Sequence, residues 1–195
     1  MMTQGQNPTF TSTRKLSAIA VMTAACLATN YLLIGFVNVK LMDMIVFVSG
    51  VIYGPFVGMT VGAMTWLVYG TLNPFGFSLP ILVATSMGES IYGLVGGLMG
   101  KIALRESDYS RGNLLWKTGF KFAVVGFLLT FIYDFFTNLV SGLTAGVPLY
   151  VAFMAGIPFA LVHELSNTAF FMVGVTPLAN AINRLPLGLR GGNHG

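Results

Sequence analysis

Charged side chains are scarce in this sequence: Asp, Glu, Lys and Arg together supply 8% of its 195 residues, whereas 55% of the residues are hydrophobic. So few ionisable groups cannot cover the surface of a water-soluble domain. The main solvent must therefore be lipid. The 24 glycines agree with this class, because small residues let membrane helices approach closely. The composition predicts an integral membrane protein with a single domain.

Three further scarcities exclude other classes. Cys26 is the one cysteine, so no intramolecular disulfide can form. The two histidines, His163 and His194, are too few to suggest a metal site, and no metal is expected. The sequence has no Gly-x-x-x-x-Gly-Lys-Ser/Thr loop, so energy from ATP has to come from a partner. The net charge of +4 is scattered over helix ends instead of forming one basic face, which argues against nucleic acid as a partner.

Long apolar runs separated by turn-forming residues predict an all-α membrane bundle of about six helices. The second run is short for a spanning helix, and Pro158 and Pro177 are expected to kink or end the sixth. A polar tail is expected at 1–13 and another at 185–195. The predicted helices cover about 14–37, 41–53, 56–72, 80–104, 116–143 and 150–182.

Basic residues sort to one side of the predicted bundle. With six crossings both termini share a face with the hydrophilic 105–113 loop, and Lys40 alone lies on the opposite face. The positive-inside rule makes the basic face cytoplasmic, so the 36–42, 71–79 and 143–150 loops lie outside. The residues on the cytoplasmic face are Arg14, Lys15, Lys101, Arg105, Arg111, Lys117, Lys121, Arg184 and Arg190.

Four acids lie inside or at the edge of apolar runs: Asp43, Glu89, Asp134 and Glu164. Inserting such a residue at mid-helix costs about 2.5 to 3.5 kcal/mol, so each is a candidate for function. Helical spacing brings polar groups of three helices to the outer half of the bilayer, which predicts a small-molecule site there. Its predicted substrate-binding residues are Glu89, Asp134, Asn138, Asn167, Glu164, Tyr92 and Trp66.

A purely structural interpretation stays open for these polar residues. Protonated or amide-paired acids can hold helices together without binding a ligand. Asp43 has the further option of pairing with Lys40 at the outer interface. His163 by itself is more typical of a satisfied packing residue than of a ligand-binding one.

Small residues at four-residue spacing form three stripes that permit close helix packing. The stripe Ala20, Ala24 and Ala28 on the first helix is a candidate for docking another protein. Two others, beginning at Gly54 and at Ala152, favour packing inside the bundle. The pattern itself does not distinguish a partner helix from a helix of this chain.

The sequence resembles the substrate-binding S component of an energy-coupling factor (ECF) transporter, from about Arg14 to Arg184. The resemblance rests on the size, the six segments and the alanine stripe behind Arg14 and Lys15. Its most family-like piece is the apolar run that ends in Gly54-Pro55-Phe56-Val57-Gly58. The segments 133–138, Tyr-Asp-Phe-Phe-Thr-Asn, and 166–167, Ser-Asn, are also similar to members of this group.

The resemblance implies a binding subunit in a prokaryotic plasma membrane, not an enzyme. Such proteins capture a vitamin from outside and dock on a membrane coupling subunit, and two cytoplasmic ATPases then drive release. It implies docking through Ala20, Ala24 and Ala28, a pocket lined from the helices of the predicted site, and ATP used only by the partner subunits. Members that transport cobalt or nickel carry an N-terminal histidine motif, whereas this chain begins Met-Met-Thr-Gln.

The sequence does not identify the substrate, and it permits two other functions. A pocket with acids and no cation beyond Lys40 should disfavour anions, which favours cationic thiamin-like or neutral flavin-like and corrin-like ligands. One alternative function is a self-sufficient proton-coupled carrier or channel, in which the acids form a relay. A membrane enzyme ranks lowest, because no Ser/His/Asp set or acid pair with histidines has recognisable spacing.

Overall fold

The computed structural model describes residues 12–74, 76–106 and 112–183. These residues form six α-helices and no strand, which confirms the predicted all-α bundle. Both predicted polar tails, apart from their helical edges at 12–13, and residues 107–111 of the predicted cytoplasmic loop lie outside the described residues. The helices are α1 (Ser12–Leu32), α2 (Met42–Tyr53), α3 (Pro55–Leu72), α4 (Leu79–Glu106), α5 (Gly112–Ala145) and α6 (Leu149–Asn183).

Four of these helices are long and apolar enough to cross a membrane. The qualifying stretches are Thr13–Leu32, Leu79–Gly100, Thr118–Ala145 and Leu149–Leu178, with 20, 22, 28 and 30 residues. Helix α2 has 12 residues, which at about 1.5 Å per residue spans only part of roughly 30 Å of hydrocarbon. The chain is therefore a multi-pass membrane protein with one short central helix.

Helix α2 is the centre of the bundle. All residues from Met42 to Val51 are buried, and α1, α3, α4 and α6 pack around the helix. A helix that is apolar on every face is either a membrane span or a buried helix, and α2 is too short to be a full span. This position explains how a segment too short to span alone is held, and it brings Asp43 at its first turn into the interior.

Glycines set the spacing between α2, α3 and α4. A methyl group added at Gly58 would collide with the backbone of Gly50 and Gly93, and one added at Gly93 would collide with Gly58. Between α2 and α3 the chain turns on Gly54 alone, whose φ of 91° favours glycine. Pro55 then begins α3 where its missing N–H costs no helical hydrogen bond. The small-residue stripe that begins at Gly54 thus packs inside the bundle.

The predicted end of the first helix is wrong. Helix α1 ends at Leu32 and not at 37, because residues 33–41 fold over the end of the bundle. There Asn38 adopts a left-handed φ of 57°, and its amide donates a hydrogen bond of 2.8 Å to the Phe159 carbonyl. Helix α6, by contrast, runs from Leu149 to Asn183, close to the predicted 150–182, so neither Pro158 nor Pro177 ends it. A proline inside a membrane helix removes one N–H donor, a loss that neighbouring groups can offset.

Candidate functional site

A cavity of about 560 Å³ opens at the end of the bundle that the distribution of cations places outside. We call it the outer cavity. Its walls come from the end of α1, the 33–41 loop, the end of α3 and the start of α4. The volume lies within the range of about 300–1,000 Å³ typical of small-molecule sites. Its lining residues include Asn30, Lys40, Trp66, Tyr69, Asn73 and Thr85.

Aromatic rings form the inner wall of the outer cavity. Trp66 and Tyr69 meet edge to face with ring centroids 5.4 Å apart, and Trp66 stacks on Tyr133 at 6.4 Å. The ammonium of Lys40 lies 4.9 Å from the Trp66 ring centroid and 5.3 Å from that of Tyr133. Such cation–π contacts fix the end of the 33–41 loop over the rings. The rings offer an apolar face to a flat ligand.

Polar groups in the outer cavity are few and include an unpartnered donor. Asn30 is buried, yet its Nδ2 has no hydrogen-bond partner. Among the described residues that line the cavity, Lys40 is the one charged side chain. The expectation that acids line the ligand pocket is therefore wrong for this cavity, and the charge argument against anionic ligands loses its premise.

The acids lie one layer deeper. Glu89 is fully buried and accepts a hydrogen bond of 3.2 Å from Nε1 of Trp66, so it fixes the ring that lines the outer cavity. The Glu89 carboxyl also lies near the Asp43 carboxyl, close enough for the two groups to interact electrostatically. Helices α2, α3 and α4 thus meet beneath the cavity floor.

His163 bridges two acids from different helices. Its Nε2 lies 2.7 Å from Oδ2 of Asp43 on α2, and its Nδ1 lies 2.9 Å from Oδ1 of Asp134 on α5. We call Asp43, His163 and Asp134 the central triad. The imidazole is fully buried. Asp43, offered by the sequence as a partner of Lys40, instead directs Oδ2 at His163 and at Asn167.

Neutral groups extend the central triad. The amide nitrogen of Asn167 lies 2.6 Å from Asp43 Oδ2 and 2.9 Å from the Thr130 hydroxyl. Tyr92 donates to the same hydroxyl at 2.9 Å, and Thr130 donates to the Gly126 carbonyl. All of these polar side chains are buried. They join α2, α4, α5 and α6 through one hydrogen-bonded network.

A second opening lies between α5 and α6 and measures about 340 Å³. We call it the lateral cleft, because its rim includes Phe131, Phe135 and Leu161, which are about half exposed on the lipid-facing surface. Asp134 lines it, and one of that residue's oxygens, Oδ2, has no hydrogen-bond partner. The other lining polar residues are Asn138 and Glu164.

The predicted site residues therefore fall into three places. Trp66 lines the outer cavity. Glu89, Tyr92 and Asn167 are buried beneath it in the hydrogen-bonded network. The remaining predicted residues, Asp134, Asn138 and Glu164, line the lateral cleft.

The predicted set of site residues leaves out several residues that the fold brings to these sites. Asn30 and Tyr69 line the outer cavity, and His163 is the centre of the buried cluster. His163 and Asp43 lie 120 positions apart, so no local spacing connects them. The one available signal was that His163 precedes a membrane-embedded acid, Glu164, within an apolar segment. Among the described residues, no group of three or more His, Cys, Asp or Glu is arranged to hold a metal ion.

The predicted docking stripe lies on the outer surface of the bundle. Ala20, Ala24 and Ala28 are exposed, as are their neighbours Val21 and Leu32. Helix α1 packs on α2 and α3 with its opposite side. In the third stripe, Gly156 packs against the side chain of Asn138 on α5. Of the three small-residue stripes, the one on α1 thus faces away from the bundle.

Comparison with known proteins gives a family match. The family model described as "ECF-type riboflavin transporter, S component" matches residues 10–184. Neither the curated proteins nor the solved structures contain a match. The matched range includes every described residue of the outer cavity, the central triad, the lateral cleft and the α1 stripe.

Proposed function

The chain belongs to the family of ECF-type riboflavin transporter S components, and from that premise we propose that it captures riboflavin in the outer cavity for ATP-driven uptake. It is a substrate-binding subunit of an ECF transporter and a multi-pass protein of the prokaryotic plasma membrane, not an enzyme. S components of these transporters associate with a membrane T component and ATPases. The vitamin, its site and the coupling to ATP are the parts that we propose.

The observation that supports this choice of site is the aromatic wall beside an unpartnered amide. Riboflavin has a flat, neutral three-ring system with carbonyl oxygens on one edge and a chain of hydroxyls. Trp66 and Tyr69 offer apolar surface to such rings. The Asn30 amide and the Lys40 ammonium supply hydrogen-bond donors for ring carbonyls.

Other polar groups at the outer cavity suit the hydroxyl chain. Asn73 and Thr85 line the wall formed by the end of α3 and the start of α4. Both supply amide or hydroxyl groups that act as donors and acceptors. A neutral ligand needs no counter-ion, whereas a phosphorylated flavin adds up to two negative charges that Lys40 alone must offset. We therefore propose riboflavin itself in preference to its phosphate ester.

The proposed path of energy uses partners, because this chain contains no phosphate-binding loop. The exposed stripe of Ala20, Ala24 and Ala28 is the proposed surface for the membrane coupling subunit. Small side chains there permit the close approach of a partner helix. We propose that ATP is used by two cytoplasmic ATPase subunits and that this chain holds no cofactor of its own.

Ligand binding by the full-length purified protein tests the proposal. The chain is purified in detergent without added vitamin, and any copurified compound is identified by mass spectrometry. Quenching of flavin fluorescence is then titrated, with the phosphate ester and thiamin as competitors. We expect saturable quenching by riboflavin and weaker binding of both competitors. A different copurified vitamin together with no flavin quenching would overturn the proposed substrate while leaving the family unchanged.

A second candidate function has one observation in its favour, the buried acids and histidine that lie between the outer cavity and the lateral cleft. Such a chain is also found in proton-coupled carriers. Flavin uptake distinguishes the two functions when it is compared between liposomes that contain only this protein and liposomes that also contain the ATPase partners. Uptake driven by a proton gradient in the absence of ATPase partners favours the carrier, whereas uptake that requires the ATPases and ATP favours the binding subunit.

A further inference from the structure

The two ring contacts of His163 in the central triad require two hydrogen-bond donors, whereas a neutral imidazole supplies only one. Both ring nitrogens of His163 face carboxyl oxygens, at 2.7 Å and 2.9 Å. A neutral imidazole carries one N–H, so a second proton is required for both contacts to be hydrogen bonds. Either the ring is an imidazolium or one carboxyl is protonated. In both arrangements two protons are shared by three groups, and the triad has one negative charge.

The central triad lies between the outer cavity and the lateral cleft. Towards the outer cavity, Asp43 adjoins Glu89, which accepts the Trp66 N–H. On the other side, Asp134 lines the lateral cleft, with Oδ2 lacking a partner and the side chain about nine-tenths buried. Oδ1 of Asp43 and Oε1 of Glu89 also lack a donor. These buried oxygens are hydrogen-bond acceptors that can take up a proton or accept a hydrogen bond from a donor molecule.

We propose that the central triad and Glu89 form a proton-binding site whose occupancy is linked to the filling of the outer cavity. The ligand of this additional site is the proton, and its entry is through the lateral cleft or the cavity itself. The linkage to riboflavin rests on the function proposed above. The site as such rests only on the arrangement of the buried acids and His163.

Electrostatics provide the linkage. Lys40 lies on the Trp66 ring at the wall of the outer cavity, and Glu89 contacts the same ring from below. A ligand that stacks on Trp66 must displace or share the Lys40 ammonium. Moving a charge near buried carboxyls changes the free energy of protonating them, because a low dielectric screens the interaction poorly. By reciprocity, protonation then changes ligand affinity by the same factor.

The site has titratable neighbours on α1, the 33–41 loop, α4, α5 and α6, while α3 faces it with the Trp66 N–H. They act together, so the proton count belongs to the cluster and not to one residue. Those facing the triad or Glu89 are Cys26 of α1, Lys40 of the 33–41 loop, Tyr92 of α4, Tyr133 of α5 and Glu164 of α6.

The first test needs no flavin. His163 and His194 are the two histidines of the chain, so the His194→Gln variant carries His163 as its single histidine. Nitrogen-15 NMR of this protein, labelled at histidine, reports the protonation of both ring nitrogens. We expect ring signals that do not change with pH in the way those of an exposed imidazole do, whose ordinary pKa is about 6.5. A signal that titrates like that of an exposed imidazole would overturn the site.

The linkage is tested on the same sample by removing the cavity charge. The Lys40→Met variant should change the His163 ring signals or the pH at which they move, because it removes a cation next to the cluster. The control is Lys15→Met, which removes an exposed cation on α1. Identical His163 signals in the Lys40→Met variant and in the parent would overturn the linkage, whatever ligand the protein binds.

The flavin arm counts protons directly. Titration calorimetry in buffers of different ionisation enthalpy should show that the parent exchanges a non-zero number of protons when riboflavin binds. We expect the His163→Gln variant to bind riboflavin with little or no proton exchange, and the His194→Gln variant to match the parent. Riboflavin binding without proton exchange in the parent contradicts the linkage but leaves the proposed function intact. If riboflavin does not bind at any pH, the proposed substrate is wrong, and the NMR experiments still decide the proton site.

Discussion

His163 Nε2 lies 2.7 Å from Oδ2 of Asp43, although 120 positions separate the two residues and neither is exposed to solvent. The contact fastens the first turn of the short central helix α2 to the middle of α6. Helix α2 lacks the length to be held by the bilayer alone. A buried polar pair is favourable only when each group keeps its partner. We therefore expect this contact to favour one position of α2 along the neighbouring helices.

Removing the Asp43 carboxyl should strongly destabilise the fold. In the Asp43→Ala variant the His163 ring and the Asn167 amide both lose their acceptor. Breaking a buried pair in this way costs about 3–5 kcal/mol of the free energy of unfolding. Thermal unfolding in detergent measures the change. The matched control is Glu164→Ala, which removes a partly exposed carboxyl at the lateral cleft, and equal losses in the two variants would contradict the role assigned to the triad.

The close packing of α3 on α2 and α4 gives a second prediction. A methyl group at Gly58 would meet the backbone of Gly50 and Gly93, which cannot move aside as a side chain can. We expect Gly58→Ala to lower the free energy of unfolding by about 1–3 kcal/mol, the range for overpacked interiors. Gly35→Ala is the control, because nothing lies within 4 Å of its added methyl group. Unfolding at the same temperature for both variants would show that the helices are less tightly packed than the structure indicates.

The fold class was predictable because it depends on local composition. Long apolar runs and the scarcity of charge specify a helical membrane bundle whatever the tertiary contacts. The end of α1 was not predictable, because the apolar residues 33–37 continue the hydrophobic pattern while the chain turns away to reach α6. The range of α6 was predicted, but the sequence left open whether its prolines kink or end the helix. The local effect of Pro158 is to break a helix, and only the packed environment can offset it.

The candidate site was predictable in its residue types but not in its arrangement. The cost of an acid in lipid identifies Glu89 and Asp134 from the sequence. Which acids meet depends on helix rotation and neighbour order, and those are set by packing at glycines such as Gly58 and Gly93. Lys40 illustrates the limit. The sequence offered Asp43 as a possible partner for this cation, whereas the structure places the ammonium over the rings of Trp66 and Tyr133.

Trp66 should contribute to flavin binding in two separable ways. The Trp66→Phe variant keeps an aromatic face but loses the N–H that binds Glu89, whereas Trp66→Leu loses both. Aromatic contacts are worth about 0.5–1.5 kcal/mol beyond their buried area, so we expect the leucine variant to bind riboflavin more weakly than the phenylalanine variant. Fluorescence quenching gives both dissociation constants. Phe120→Leu on the exposed face of α5 is the control and should bind as the parent does.

If neither Trp66 variant differs from the parent in affinity, the ligand does not occupy the outer cavity. The lateral cleft is then the next candidate, and its variant Asn138→Ala should change affinity instead. The two sites are separated by the central triad, so one substitution is not expected to disturb both by direct contact.

The alanine stripe of α1 should govern assembly without affecting ligand binding. Ala24 is exposed, and a tryptophan in its place would hold a partner helix several ångströms from the small-residue surface. We therefore expect Ala24→Trp to abolish copurification with the membrane coupling subunit while leaving flavin quenching unchanged, because the outer cavity is lined by α1 only from Asn30 onward. The matched control is Ala155→Trp, an exposed alanine on α6. Loss of assembly in the Ala155→Trp variant alone would move the docking surface from α1 to α6, and intact assembly in both would show that tight small-residue packing is not what holds the partner.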